Sequence, residues 1–371
     1  MTNKQIEPVA GPGPSPGWGA DLVAAICERC DWRYLLPAEM PLMNCPHCFQ
    51  VTLTSLGASN VGPAADAWPD HSPEMVLPFS VSSEIIGRTI QQFGGKIWFA
   101  PGDLTPRNLQ ARLQRTYLPM WLVDSQVEAE WQAEAGFDYQ AVSHRDTFDE
   151  NRRGWYSEQI TETRIRWEAR VGRLNRHFHN IPAPALEEHF ELSRKLGHFD
   201  LEAGQPYASQ ALGQALVRLP NRSPADAWPD TVPAFQAAAG EECRLACDAD
   251  HMRDFRWAAR YEQQNWTLLL LPLYTTYYLD DDNRPQTILI HGQTGRLSGR
   301  RRASMKRAQR AALTIVAVAA VIFVLSLIVA AISVFVPPLI IVATLGIILA
   351  LAVGMLAIAP VVIAWQTNRS M

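Results

Sequence analysis

From Ala311 to Trp365 the chain carries no Asp, Glu, Lys, Arg or His. At about 1.5 Å of rise per residue, such a tract makes two helices, each able to cross a hydrocarbon core roughly 30 Å thick. Pro337 and Pro338 lie near its middle, where two ring-locked residues end a helix and turn the chain. The reading is a membrane hairpin with one span over residues 311–336 and a second over 338–365. Ser326, Ser333, Gly346, Gly354 and Pro360 interrupt the larger apolar residues. Small side chains let helices approach closely, within a hairpin or between protomers of an oligomer. With no ionisable group in either span, the hairpin reads as an anchor before a conduit, and a pore would need several copies.

The net charge of −4 conceals an asymmetry. Every acidic residue precedes position 296, so residues 1–295 hold 37 acids against 25 Lys and Arg, a net of −12. Residues 296–310 then carry Arg296, Arg300, Arg301, Arg302, Lys306, Arg307 and Arg310 with no acid, a net of +7. A basic juxtamembrane segment holds its end of the helix on the cytoplasmic side and attracts anionic lipid headgroups. Nucleic acid is a poor partner for this patch, which would sit against an anionic surface beside an acidic domain. Residues 1–22 are polar and rich in Pro and Gly, without the apolar core of a secretory signal, and read as a disordered leader. Two spans place both termini on the cytoplasmic face of the inner (plasma) membrane, where cysteines stay reduced.

Cys27-Glu-Arg-Cys30 and Cys45-Pro-His-Cys48 stand fourteen residues apart. Two such turns, each aiming two thiolates at one ion, suit a closed tetrahedral site with no open position for catalysis. The expected cofactor is Zn2+ stapling a ribbon over residues 23–56, a module too small to fold alone. Iron in a rubredoxin-like centre is the alternative. His47 reads as a neighbour of the site rather than a ligand. Cys243, Cys247 and His251 recur at four-residue spacing on a predicted helix, where buried thiols are the plainer reading than a metal site. His177 and His179 flank Phe178 on a predicted strand and face solvent.

Residues 57–74 form a Gly-, Pro- and Ala-rich linker, and residues 75–295 read as an α+β domain on an antiparallel sheet. Ser82-Ser83-Glu84 caps a helix bearing Ile85, Ile86, Ile90 and Phe93. A second helix is expected over 106–115 and strand over 117–131. Arg164, Arg166 and Arg170 alternate with Ile165, Trp167, Ala169 and Val171, predicting a strand with one wet and one apolar face. Helical pieces are expected within 184–219 and a longer helix over 233–264. A hairpin follows, with strands 266–279 and 287–291 around Asp280–Asn283. Ala65-Asp-Ala-Trp-Pro-Asp70 recurs verbatim at 225–230, which suggests two related half-domains, a recurring linker being the alternative. No phosphate-binding loop, nucleophile elbow or zinc-protease helix is present, so the expectation is a non-enzymatic protein.

These elements together resemble a bacterial family of membrane-anchored zinc-ribbon proteins, often labelled TFIIB-type or primosomal-helicase-like. The resemblance rests on the four ribbon cysteines, Val76-Leu-Pro-Phe79, Trp98-Phe-Ala-Pro101, Tyr117-Leu-Pro-Met-Trp121, Leu271-Pro-Leu-Tyr274 and His291-Gly-Gln-Thr-Gly295. It implies a membrane partner for SPFH/flotillin-like or phage-shock-type envelope-stress proteins, and it brings no catalytic residues. The leading expectation is an adaptor presenting the ribbon and α+β domain to protein partners. The alternatives are a tethered nucleic-acid-binding factor and a subunit of an oligomeric transport or channel assembly.

Overall fold

The computed structural model describes residues 18–56, 72–95, 97–149 and 154–369. Most of the predicted leader, and residues 57–71 of the linker with the first copy of the repeat, lie outside these residues. Trp18, within the predicted leader, is buried, and its carbonyl accepts a hydrogen bond from Tyr207 Oη at 2.9 Å.

In chain order the strands β1 (Leu22–Ile26), β2 (Arg33–Pro37), β3 (Thr54–Ser55) and β4 (Pro73–Val76) precede helices α1 (Ser83–Gly94) and α2 (Pro106–Ala111). Two very long strands follow, β5 (Gln114–Asp149) and β6 (Gly154–Ala183). Then come α3 (His189–Leu196), β7 (Gln205–Pro206), β8 (Leu216–Arg218), α4 (Pro224–Ala246) and a third long strand, β9 (His251–Leu279). Strands β10 (Pro285–His291) and β11 (Leu297–Gly299) lead to helices α5 (Met305–Ile332), α6 (Leu339–Leu356) and α7 (Ile358–Arg369).

The chain divides into two compact units, one of Met1–Leu118, Glu191–Leu219 and Leu270–Met371, the other of Pro119–Phe190 and Pro220–Leu269. The first is built on strands in the order β11-β10-β9-β5-β8-β2-β1-β3. The sheet is mixed rather than purely antiparallel, because β5 and β8 run parallel through Thr116 and Tyr117 against Leu216 and Val217. Its main core packs Ile86, Ile90 and Phe93 of α1 and Leu109 of α2 against Tyr274, Tyr278, Ile288 and Ile290. Both helices start as the sequence requires: Ser82 Oγ accepts from Ile85 N, and Thr105 Oγ1 from Asn108 N.

His291 explains the turn between β10 and β11. Its Nδ1 accepts from the backbone N–H of Gln293 and Thr294 at 3.1 and 3.3 Å. Its Nε2 then carries the proton and faces the His198 carbonyl at 3.3 Å, with the ring stacked on Phe199. Burial holds the His291 pKa below its ordinary value of 6.5. A base that stays neutral when folded but takes up a proton when unfolded contributes stability that is full above pH 6.5 and is lost as pH falls below it. The unfolding temperature should therefore drop between pH 7 and pH 5.5, and His291→Asn should reduce that dependence.

In the second unit, β5 lies between β6 and β9. The β5–β6 ladder is antiparallel from Trp121↔Ala183 to Asp149↔Gly154, with one irregularity between Val123 and Ser125. Phe235 and Ala239 of α4 cover one face, packing with Val123, Val127, Phe178 and Ile181. The second copy of the repeat opens α4: Ser223 and Asp226 form a reciprocal capping box, and Arg222 pairs with Asp230 at 2.7 Å. Trp228 packs its ring on Phe235, Tyr261 and Trp266.

The predicted helix over 233–264 does not hold those bounds. It begins earlier, at Pro224, and ends at Ala246, and residues 251–264 are strand. Phe255, Trp257, Ala259 and Tyr261 alternate onto the face that α4 covers, and that burial outweighs the helix-forming Ala, Arg, Glu and Gln between them.

The apolar tract forms two helices long and apolar enough to cross a membrane, Met305–Ile332 and Leu339–Arg369. Only 11% of the most apolar window of each is buried, which distinguishes them from core helices. Small residues at seven-residue spacing are buried along them: Ala319 and Ser326 on α5 with Ser333 capping it, and Ala343 and Ala350 on α6, Ala357 at its cap and Ala364 on α7. Pro360 lacks the N–H that would bond Leu356, and the second helix is interrupted at Ala357.

The base of the hairpin is tied to the first unit. Asn368 exchanges two hydrogen bonds with the Ala303 backbone, at 2.8 and 3.1 Å. Ser304 N donates to the Phe99 carbonyl at 2.7 Å, and Ser304 Oγ caps α5. Several of the seven basic residues are used in this attachment. Arg302 reaches Asp280 at 3.5 Å, Lys306 N donates to Asp281 at 2.9 Å, and Arg307 donates to the Ala100 carbonyl at 3.0 Å. Arg301 lies over the Phe93 ring, whereas Arg310 has no such contact among the described residues.

Candidate metal centre

The four ribbon cysteines converge. Cys27 Sγ lies 3.5 Å from Cys48 Sγ, Cys30 Sγ lies 3.6 Å from Cys45 Sγ, and all four sulfurs fall within 4.8 Å of one another. A disulfide would bring two sulfurs to about 2 Å. Four sulfurs at 2.3 Å from one tetrahedral ion stand about 3.8 Å apart, so the donor set fits a closed four-thiolate site.

Two equivalent turns build it. Cys27 N donates to the Trp32 carbonyl and Asp31 N to the Cys27 carbonyl, both at 2.9 Å. In the second turn Cys45 N donates to Val51 and Phe49 N to Cys45, at 3.0 and 2.9 Å. Asp31 and Phe49, each just after the second cysteine of its pair, take left-handed backbone conformations at φ 56° and 53°. That reversal aims backbone N–H groups at the sulfurs, as in other nests that favour anions.

Neighbouring sulfurs shift one another in opposite directions. The hydrogen bond from the Cys30 thiol, helped by the backbone N–H groups of Cys48 and His47, lowers Cys45 to about 5. The same bond, together with burial, pushes Cys30 up, and burial pushes Cys48 up. The Cys30–Cys45 contact thus favours the thiolate on Cys45 and the thiol on Cys30. A divalent ion would displace the thiol protons.

The surroundings include residues that spacing alone does not mark. Arg218 on β8 is 2% exposed and lies over the rings of Trp32 and Tyr34, at 4.4 and 5.9 Å from their centroids. Tyr34 is fully buried with its Oη 3.9 Å from Cys45 Sγ, and burial raises its pKa. His47 is not among the sulfur donors; it is exposed and stacks on Trp32 at 3.7 Å. The ribbon is joined to the larger sheet on two sides. Tyr34 and Leu35 of β2 pair with Arg218 and Val217 of β8. Phe49 stacks on Tyr277 at 4.4 Å, and Thr287 Oγ1 donates to the His47 carbonyl at 3.0 Å.

The other sulfur and histidine positions do not assemble this way. Cys243 is buried on α4, which pushes its thiol up to about 11, and Cys247 caps that helix. His251 leaves the helix for β9, where it pairs with Asp138 at 3.0 Å. His177 and His179 do lie on a strand, with Asp124 opposite, and the donor atoms of the three fall within 4.8 Å of one another. Asp124 accepts the Asn180 N–H at 2.7 Å, and His179 is exposed.

Comparison with protein-family models, with curated proteins and with solved structures finds no match for this chain. The functional reading therefore stands on the chain's own residues.

Proposed function

We propose that this protein is a non-enzymatic membrane-anchored adaptor, in which a zinc-stapled domain is held against a bilayer and offers its surface to protein partners. The observation that carries the reading is the joint at the hairpin base. Ser304, Lys306 and Arg302 fasten the start of α5 to the domain that bears the ribbon, and Asn368 ties the end of α7 to Ala303 beside it. A domain fixed in this way to its anchor is positioned rather than loosely tethered.

Zinc is the expected ion because reduced cysteine thiolates favour it, and a four-sulfur shell leaves no site for a substrate. The basic segment would face the cytoplasm, with Arg310 directed to anionic headgroups. The expected partners are SPFH/flotillin-like or phage-shock-type membrane proteins, as the sequence resemblance implies.

Affinity purification of the intact protein in a mild detergent, after brief cross-linking in cells, tests this directly. A small set of proteins should copurify at levels comparable with the bait. Recovery of lipid alone would overturn the adaptor reading.

A further inference from the structure

The strand predicted to hide its apolar side does not do so. Among the described residues β6 pairs only with β5, so its outer edge is open along its length. Ile165 and Val171, on the side predicted to be apolar, are 41% and 79% exposed. No proline or bulge interrupts residues 158–176, and long open edges of that kind recruit another strand. One device does guard the edge, its charges: Glu162, Arg164, Arg166, Glu168 and Arg170, all on one face.

The order of those charges identifies the strand that fits. Placed antiparallel to itself about a two-fold axis through Arg166 and perpendicular to the sheet, β6 sets Glu162 opposite Arg170 and Arg164 opposite Glu168. Each contact occurs twice by symmetry. The other face then sets Ile165 opposite Trp167, Thr163 opposite Ala169 and Thr161 opposite Val171, pairs of the kind that stabilise sheets. Moving the axis by one residue instead opposes Glu162 to Glu168, or Arg164 to Arg170. Only Arg166 meets its own kind at the axis, and it is already paired with its own Glu168 at 3.0 Å.

We infer that the β6 edge is a self-association surface, on which a second copy of this chain adds its own β6 in antiparallel register centred on Arg166. The union would run over residues 161–171 and join the two β5–β6 ladders into one sheet. It relies on neither the metal nor the adaptor reading.

Site-specific disulfide trapping in the full-length, metal-loaded protein tests the register. Residues at the axis face each other within disulfide reach, whereas the two copies of residue 170 would lie about 26 Å apart along the strand. Mild oxidation should therefore trap dimer from Arg166→Cys at least about tenfold more than from Arg170→Cys or Glu162→Cys alone. Mixing Arg170→Cys with Glu162→Cys should restore trapping between the two. Wild-type protein run alongside gives the background from the native cysteines. Charge reversal reads the same register without cysteines: Arg164→Glu should lower the dimer fraction in detergent, and adding Glu168→Arg should restore it. Equal trapping at 166 and 170, no rescue by the second reversal, or a monomer at all concentrations would overturn the inference.

Discussion

Cys45→Ser is expected to strip the ribbon of its metal and unfold residues 23–56 while leaving the protein in the membrane. Cys45 is buried, and the hydrogen bond from the Cys30 thiol favours its thiolate. Structural zinc in modules of this size contributes roughly 10–16 kcal/mol of apparent binding free energy at pH 7, far more than so small a core supplies. The core around it consists of Ala25, Tyr34, Leu36, Leu53 and Leu216 together with Cys27 and Cys45. Metal analysis should show loss of one ion per chain. Hydrogen exchange should show loss of protection in β1 and β2, with β6 unchanged. A chelator should reproduce the effect in the wild type, and returning zinc should reverse it. Preserved protection in a metal-free ribbon would mean that docking on β8, not the ion, holds the module.

Gly346→Ala should be the most damaging single methyl in the hairpin. A Cβ there would collide with Ser326 Oγ and stand 3.1 Å from Ser326 Cβ. Ser326 cannot easily turn aside, because its hydroxyl donates to the Ile322 carbonyl at 2.7 Å. Relief requires the helices to separate or that bond to break, at a cost of about 1–3 kcal/mol. Gly354→Ala is the internal control, since its Cβ would find Ala319 at an ordinary 3.9 Å. Unfolding in detergent should come at a lower temperature for the first variant and be unchanged for the second. Equal behaviour would mean that the small-residue seam is not what joins the helices.

What the sequence made legible was local. The four cysteines, the paired prolines, the cap at Ser82 and the turn at Asp280–Asn283 each need only a few neighbouring residues, and each lies where its pattern places it. The long strands were legible only in fragments. Strand β9 carries left-handed residues at Asp254 and Gln263, and the β5–β6 ladder shifts at Val123/Ser125. Each such irregularity breaks the two-residue alternation by which a strand is recognised. Arg218 was invisible for a different reason. Its role comes from β8 pairing with β2 across more than 180 positions, and nothing around residue 218 encodes the ribbon.

The stacking of Phe49 on Tyr277 gives the ribbon a mechanical office. Tyr278, the next residue on β9, donates to the Arg300 carbonyl at 2.8 Å and receives the Arg302 N–H at 2.9 Å. The turn beyond it supplies Asp280 to Arg302, just before α5, and Asp281 to Lys306 in its first turn. Two adjacent tyrosines are thus all that separates the metal knuckle from the root of the anchor. Any loosening of Phe49 would therefore be felt one residue away from the tyrosine that holds the approach to α5.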